Sequence, residues 1–274
     1  MNNNFYFLDI PENNNDFLIE VIKNNFNQES IFPYHNCDQA FKNLHKDFIK
    51  FDKYNFYYGK FGIGFRKNFK DCNLITSINN PFVRINNIVN KILNGKYNDY
   101  KIHLPESSAD ILNLIEKNKF LFSNVQTKFL ALDFNPLKLN FENIRMKNCK
   151  FLFERWQKIN VDCNDEIFKN ACENLKHALF FGLSEKQEDF LNKFFKIMNF
   201  KFNWELKDLV ENYKLYQKFK NDEYSQIIKY NNIFSKKSDN IKKLLIEYNK
   251  FDIKLYNFAK KIYDKKFKNM KFYI

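Results

Sequence analysis

Glycine and proline are scarce in this chain, with five of each among 274 residues. That composition excludes collagen-like and propeller architectures and leaves no glycine-rich phosphate loop. No apolar run approaches the length of about 18 residues that a membrane-spanning helix needs, so none is predicted. The opening segment 1–4 has neither a basic region nor a small-residue cleavage site, which predicts no secretory signal. We therefore expect a cytoplasmic protein, with peripheral contact to a membrane surface as the minority alternative.

Cysteine is too sparse and too scattered to form a recognisable metal or disulfide pattern. The five cysteines include no Cys-x-x-Cys pair, and no histidine stands at metal-ligand spacing from any of them. We expect reduced thiols, no metal and no permanently bound cofactor.

Positive charge is plentiful, with 45 Lys and Arg against 32 Asp and Glu and a formal net charge of +13. Only four of the 45 basic residues are arginine, the residue best suited to bidentate contacts with phosphates and bases. The abundance of Lys, Asn, Ile and Phe is typical of an AT-rich genome, whatever the function. A solvated lysine surface therefore explains the charge better than nucleic-acid binding does, while an anionic substrate stays compatible with it.

Short apolar segments alternate with helical ones in the first half of the chain. Strands are predicted at 5–11, 54–58 and 74–78, with helices beginning near 17 and covering 82–93. Helical periodicity then dominates, at 108–117, 164–178, 186–198, 204–219 and 238–267. This order predicts one α/β domain over 1–274, with a three-layer core and central parallel sheet at about 1–135 and a mostly helical portion at about 136–274.

Six short motifs, in the same order, resemble those of the carbohydrate sulfotransferases, the family of the heparan and uronyl 2-O-sulfotransferases and their bacterial relatives. They lie at 9–17, 59–64, 79–84, 124–131, 181–185 and 249–259. The best matches are Asn124-Val125-Gln126-Thr127, Phe181-Gly182-Leu183-Ser184-Glu185 and the Asn249-x-x-Asp252 helix. The resemblance implies a P-loop-like fold and transfer of a sulfuryl group from 3′-phosphoadenosine-5′-phosphosulfate to a glycan hydroxyl.

The chain departs from the family at the donor-binding positions. The loop lysine that stabilises the bridging oxygen corresponds to Glu12, and the general-base histidine corresponds to Lys60. The hydroxyls after the lysine and the groups that grip the 3′-phosphate correspond to Asn13, Asn14, Asn15, Asp16, Asn79 and Asn87. A carboxylate at Glu12 would repel a phosphosulfate by several kcal/mol, on the order expected at short range in a partly desolvated site. The donor is therefore either the family's usual one or another nucleotide-activated compound.

Three residues are candidates for catalysis. Glu12 could act as general base for an acceptor hydroxyl while Lys60 stabilises the transferred group. The alternative is a plain Glu12–Lys60 salt bridge of little consequence. His35 lies on a loop that could reach the same cleft and is the second candidate base.

The remaining candidates are binding residues, each with a structural alternative. The amides at 13–15, with Asp16, could cradle a phosphate at a helix N-terminus, or they could reflect the asparagine-rich composition. Arg84, with Asn79 and Asn87, could hold the donor, or Arg84 could pair with a carboxylate at the edge of the core. Asn124, Gln126 and Lys128 could order the acceptor, or the two amides could cap a helix.

The sequence thus favours a group transferase that modifies a hydroxyl of a surface glycan, in a capsule or lipooligosaccharide, from a nucleotide-activated donor. The transferred group is sulfuryl or a related phosphorus-containing group. A catalytically inactive binding or scaffold protein on the same fold is the first alternative. A basic nucleic-acid-binding protein is a weaker one.

Overall fold

The computed structural model describes residues 4–13, 15–35, 53–68, 71–93, 108–132, 161–202 and 239–267. The predicted helix at 204–219 and the candidate residue Asn14 lie outside these ranges. Within them, helices pack on an all-parallel sheet, and the predicted α/β fold with a central parallel sheet is confirmed.

Four strands form the sheet: β1 (Asn4–Leu8), β2 (Phe56–Gly59), β3 (Cys72–Ile78) and β4 (Phe180–Leu183). Their order is β2-β1-β3-β4, and every neighbouring pair is parallel. Leu8, at the carboxyl end of β1, pairs with Gly59 of β2 and Thr76 of β3. The carboxyl ends of these three strands therefore meet at one edge of the sheet.

Both faces of the sheet are covered, so the strands consist of unbroken apolar runs, and these runs identify them in the sequence. In β1 the side chains from Phe5 to Leu8 are at most 2% exposed. The phenol of Tyr6 is the polar group in this run, and it donates to the carbonyls of Gly59 and Gly62 at 3.3 and 3.1 Å. The hydroxyl is satisfied without leaving the core, as a buried tyrosine requires.

Most of the described helices follow the predicted pattern, but those at Lys119–Phe122 and Val125–Ala131 lie outside the predicted ranges. They are α1 (Asp16–Lys23), α2 (Pro81–Leu93), α3 (Ser108–Lys117), α4 (Lys119–Phe122), α5 (Val125–Ala131), α6 (Asp165–Lys176), α7 (Gln187–Phe202), α8 (Asp239–Tyr248) and α9 (Lys250–Phe267). The helix predicted at 238–267 is in fact two helices, because Asn249 interrupts it. The side chain and the backbone N–H of Asn249 both donate to the Leu245 carbonyl, at 2.9 and 3.1 Å. None of these helices is both long and apolar enough to span a bilayer.

β4 is the one described strand that the sequence did not predict. Periodicity after residue 107 indicates helices, whereas 180–183 is a four-residue apolar run buried on both faces. A run this short has no period that separates a strand from a helix. Its pairing with Ile75–Ile78 of β3 extends the parallel sheet into the second half of the chain.

The connections between strands create a crevice at one edge of the sheet. The chain passes from β1 to β2 on one side and then returns to β3 on the other side of β1. Such a reversal opens a crevice outside the carboxyl ends of the two central strands, and open α/β sheets usually bind ligands there. The candidate residues of the first two turns lie at this position.

Two hydrophobic clusters fix the elements around the sheet. The larger contains side chains from all four strands and from α1, α7 and α9. The smaller joins α2, α3, α4 and α8 through residues such as Ile85, Leu114, Phe122 and Leu245. The described C-terminal helices α8 and α9 thus take part in one cluster each.

Gly182, in the middle of β4, lies directly against α7. A Cβ added there would stand 1.7 Å from Cδ2 of Phe190, whose ring is fully buried. We expect Gly182→Ala to lower the free energy of unfolding by about 1 to 3 kcal/mol, as overpacking does. Urea denaturation measures the loss.

The double variant Gly182→Ala/Phe190→Leu is the control. Leucine is smaller than phenylalanine and gives the new methyl group room. The double variant should therefore lose less stability than the two single variants summed. Additive losses would contradict the contact.

Candidate functional site

Two turns and one helix line the crevice at the carboxyl edge of β1 and β3. The turn after β1 leads into α1, and the turn after β3 leads into α2. Gln126, on the first turn of α5, reaches both of them. This is where the donor is expected from the resemblance.

Gln126 joins the two turns through its side-chain amide. Its Oε1 accepts hydrogen bonds from the backbone N–H of Asn79 at 2.8 Å and from Asn13 Nδ2 at 3.2 Å. Its Nε2 donates to the carbonyl of Asn79 at 2.9 Å. Asn13 Nδ2 also donates to the Ser77 carbonyl at 2.9 Å. All four residues are at most 3% exposed, so these bonds form inside the protein.

A second set of bonds fills the space between β1 and β3. Asn15 Nδ2 donates to Asp9 Oδ1 at 2.9 Å, and the Ser77 hydroxyl donates to Asn15 Oδ1. Asn15 occupies the N-cap position of α1, but its side chain does not cap that helix. The side chains of Asn13 and Asn15, predicted to cradle a phosphate, bond to the protein itself and are only 1% and 2% exposed.

Charged groups gather on the β2 side of the crevice. Burial alone would lower the pKa of Lys60, but the carboxylates of Asp9, Glu12 and Asp16 outweigh it and raise that pKa. Asp9 contributes most among the carboxylates. Burial raises the pKa of Asp9 against the opposing effects of Lys60 and Asn15. Glu12, considered above as the partner of Lys60, raises the pKa of Lys60 less than Asp9 does, and the ion pair between Glu12 and Lys60 stays a prediction.

His35 lies beside this charged group on an exposed loop. Its ring stacks on Tyr58 with centroids 6.0 Å apart, and its carbonyl accepts from the Lys60 N–H at 3.1 Å. Partial burial and the charges of Lys60 and Lys23 lower its pKa. The imidazole is therefore mainly neutral at pH 7, as a general base must be.

The backbone at Glu12 is strained. Its φ is +66°, in the left-handed region that costs a residue with a Cβ about 1 to 2 kcal/mol. The residue is 8% exposed, and its carbonyl accepts from Asn87 Nδ2 at 3.3 Å. The turn after β1 is thus tied to α2 as well as to α5.

Arg84 is completely buried. Its Nη1 donates to the carbonyl of Leu121 at 3.1 Å, next to the smaller hydrophobic cluster. A ligand in solution could reach this guanidinium only if side chains moved. The contact ties α2 to α4. The donor contact and the carboxylate pair considered from the sequence stay predictions.

Asn124 and Asp252 cap each other's helices. Asn124 Oδ1 accepts from the backbone N–H groups of Phe251 and Asp252, at 2.9 and 3.1 Å, in the first turn of α9. The Asp252 carboxylate accepts from the N–H groups of Gln126 and Thr127, at 3.1 and 2.8 Å, in the first turn of α5. Each side chain satisfies donors that would otherwise be orphaned at a helix start. For Asn124 this is the structural alternative considered above, whereas the Gln126 side chain joins two turns and caps no helix.

Lys128 lies further along α5 and is 6% exposed. Burial lowers its pKa, while Cys163 and Asp252 act in the opposite direction. Burial also raises the pKa of the Cys163 thiol to about 12. The described contacts of Lys128 involve α9 and the segment before α6, not the β1 and β3 turns.

The structure therefore divides the candidates. It brings together Glu12, Asn13, Asn15, Asp16, Lys60 and His35, with Asn79, Asn87 and Gln126 beside them. Arg84, Asn124 and Lys128 lie in other contacts. Sequence reasoning missed Asp9, Ser77 and Asp252, although Asp9 follows an apolar run directly and Asp252 belongs to a quoted motif.

Comparisons with models of protein families, with curated proteins and with solved structures found no match for this chain. Among the described residues, no group of three or more His, Cys, Asp or Glu side chains is placed to hold a metal ion.

Two substitutions at Asn124 can separate the energetic effect of its side-chain cap from that of its backbone conformation. Asn124 has φ +46°, a left-handed conformation that glycine adopts without strain. Both Asn124→Gly and Asn124→Ala remove the acceptor for two buried N–H groups, at a cost of about 1 to 3 kcal/mol. Asn124→Ala should lower the free energy of unfolding by about 1 to 2 kcal/mol more than Asn124→Gly does, because alanine is strained in the left-handed conformation.

Equilibrium denaturation in urea separates the two effects. The expected order of stability is wild type, then Asn124→Gly, then Asn124→Ala. If Asn124→Gly were as stable as wild type, the side chain would not cap α9.

Proposed function

We propose that this chain is a non-catalytic binding protein on a transferase-like α/β fold, in which the former donor crevice is closed. The observation that carries the proposal is the burial of the Asn13 and Asn15 side chains in hydrogen bonds with Ser77, Asp9 and Gln126.

The buried amides of Asn13 and Asn15 occupy the space that a bound phosphate would need. A phosphate group docked at the start of α1 would need the space and the N–H donors of these amides. Asn13 Nδ2 already bonds two acceptors, and Asn15 bonds both Asp9 and Ser77. Displacing them would leave buried polar groups unsatisfied, at about 1 to 3 kcal/mol each. A ligand would bind only if its own contacts contributed more free energy than this displacement costs.

The charged groups around Lys60 also oppose the binding of an anionic donor. The carboxyl groups of Asp9, Glu12 and Asp16 all act on one ammonium group, that of Lys60. Burial raises the pKa of Asp9 and so disfavours its charged form, which leaves Glu12 and Asp16 as the main negative charges. The lowered pKa of His35 adds little positive charge at pH 7. A phosphosulfate or a nucleotide phosphate would meet a net negative field at short range, where like charges repel strongly in a poorly solvated site.

A second candidate, the glycan-modifying group transferase, is favoured by one observation. Lys60 is kept charged beside Glu12 at the carboxyl ends of β1 and β2, where open α/β sheets place their chemistry. In that mechanism the acceptor hydroxyl attacks the sulfur or phosphorus of the donor while Glu12 takes its proton. The bond to the nucleotide breaks, and the nucleotide leaves with the electron pair while Lys60 stabilises the developing charge.

Thermal denaturation in the presence of nucleotides distinguishes the two candidates. The probes are adenosine 3′,5′-bisphosphate and the adenosine, uridine and cytidine di- and triphosphates, each at millimolar concentration. We expect no change in Tm with any of them. A ligand present at 100 times its Kd would stabilise by about 2.7 kcal/mol and raise Tm by about 5 to 10 °C.

A rise of that size would contradict the closed crevice. It would support the transferase if Lys60→Gln abolished the rise while Lys176→Gln, an exposed lysine on α6, preserved it. Formation of a modified glycan that Glu12→Gln abolishes would establish the second candidate.

A further inference from the structure

A buried lysine on α5 lies outside the crevice and takes part in none of its hydrogen bonds. Lys128 is 6% exposed, although lysine is seldom buried without a charged partner. Among the residues that the structure describes, none accepts a hydrogen bond from its ammonium nitrogen or forms an ion pair with it. A lysine enclosed in this way lowers the stability of the fold. Residues that break a rule of stability are expected at functional sites.

The position of Lys128 on its helix directs the side chain toward the thiol of Cys163. The backbone N–H of Lys128 donates to the Asn124 carbonyl at 3.0 Å, one helical turn earlier. The Cys163 thiol donates to the same carbonyl at 4.0 Å. Helical side chains lean toward the N-terminus of their helix and cover the preceding turn. The Lys128 side chain therefore extends over the turn that Cys163 contacts.

Charged groups from two more helices and from the segment before α6 gather around this turn. Asp252, on α9, accepts from a backbone N–H of the first turn of α5 at 2.8 Å. Lys119 Nζ, on α4, lies 3.0 Å from Asp162 Oδ1, and these two side chains are 36% and 84% exposed. The cluster of Lys128, Cys163, Asp162, Asp252 and Lys119 thus extends from an enclosed amine to the protein surface.

These groups control the protonation of the Lys128 amine. Burial lowers its pKa most, and the charge of Lys119 lowers it further, while Cys163, Asp252 and Asp162 act in the opposite direction. The pKa of the exposed Asp162 carboxyl is lowered chiefly by Lys119 and to a lesser extent by Lys128. A lowered pKa increases the fraction of neutral amine, the form whose lone pair attacks a carbonyl carbon.

A neutral and enclosed amine is suited to forming an imine with an aldehyde. The amine nitrogen attacks the carbonyl carbon, and a proton moves from the nitrogen to the carbonyl oxygen to give a carbinolamine. This intermediate loses its oxygen as water and leaves a C=N bond, so one amine and one aldehyde give one imine and one water. Enclosure stabilises the product, because water reverses the reaction.

We propose that Lys128 is a site at which this chain binds a short-chain aldehyde covalently, as an imine. The small exposed fraction of Lys128 restricts the ligand to a few carbon atoms. The proposal goes beyond the proposed function, and it stands whether the crevice is closed or open, because no crevice turn contributes to the cluster.

Reductive trapping of the full chain, followed by mass spectrometry of its peptides, tests the site. The protein is incubated at neutral pH with acetaldehyde and cyanoborohydride, which reduces each imine to a stable secondary amine. Lys128 should be ethylated about tenfold faster than Lys243, an exposed lysine on α8, because each unit by which a pKa is lowered raises the neutral fraction about tenfold. In Lys128→Met the peptide should carry no ethyl group at this position.

Two residues at the surface should change the rate in opposite directions. Asp162→Asn removes a carboxylate that raises the pKa of Lys128, so it should speed the ethylation of Lys128 about twofold. Lys119→Gln removes a cation that lowers this pKa, so it should slow the reaction about twofold. Glu166→Gln, at another exposed carboxyl of the same region, is the matched control and should leave the rate unchanged. Lys243 should react at the wild-type rate in all three variants.

Three results would overturn the proposal. The first is ethylation of Lys128 no faster than that of Lys243. The second is an equal rate at Lys128 in Asp162→Asn and Lys119→Gln. The third is a Tm lowered by more than about 4 °C in Lys128→Met, because the amine would then make a structural contact. Methionine leaves no buried charge, so we expect its Tm to be at least that of wild type. The nucleotide experiment reports on the crevice alone and is independent of these results.

Discussion

The side-chain amide of Gln126 is the contact on which the carboxyl edge of the sheet depends. It bonds both backbone groups of Asn79 and the amide of Asn13, so the turns after β1 and β3 are held at one fixed distance. Asp252 in turn fixes the first turn of the helix that carries Gln126. One continuous set of buried hydrogen bonds therefore joins the central strands to the C-terminal helix α9.

This arrangement has a direct consequence for function. A crevice at a reversal of strand order is open to ligands only if its lining groups keep hydrogen-bonding capacity. Here Asn13 Nδ2 bonds the Ser77 carbonyl and Gln126, and Asn15 bonds Asp9 and the Ser77 hydroxyl, while Asn13 Oδ1 is buried without a hydrogen-bond partner. Carboxyl groups surround the ammonium group of Lys60. On the function proposed above, protein side chains fill the crevice at the position where open α/β sheets usually bind ligands.

The elements that could be predicted from the sequence are those with a distinctive local pattern of apolar residues. The unbroken apolar runs of β1 and β3 and the amphipathic helix after Pro81 are visible without any long-range information. Four-residue β4 carries no such period, and the break at Asn249 lies within a segment of continuous helical periodicity. The hydrogen bonds of the crevice could not be predicted from the sequence, because Asn79 and Gln126 are 47 residues apart and their pairing leaves no local signal. The contact of Arg84 leaves no local signal either, since it joins the guanidinium to a backbone carbonyl on α4, 37 residues away.

Hydrogen–deuterium exchange of the backbone amides of Asn79, Gln126 and Thr127 tests the closed crevice most directly. Each N–H donates to a buried side chain, either Gln126 Oε1 or the Asp252 carboxylate, rather than to the backbone of a helix or strand. If the network closes the crevice, these three amides exchange as slowly as those of β1 and β3. Exchange as fast as that of an exposed turn would show that the crevice is open to water and would contradict the account.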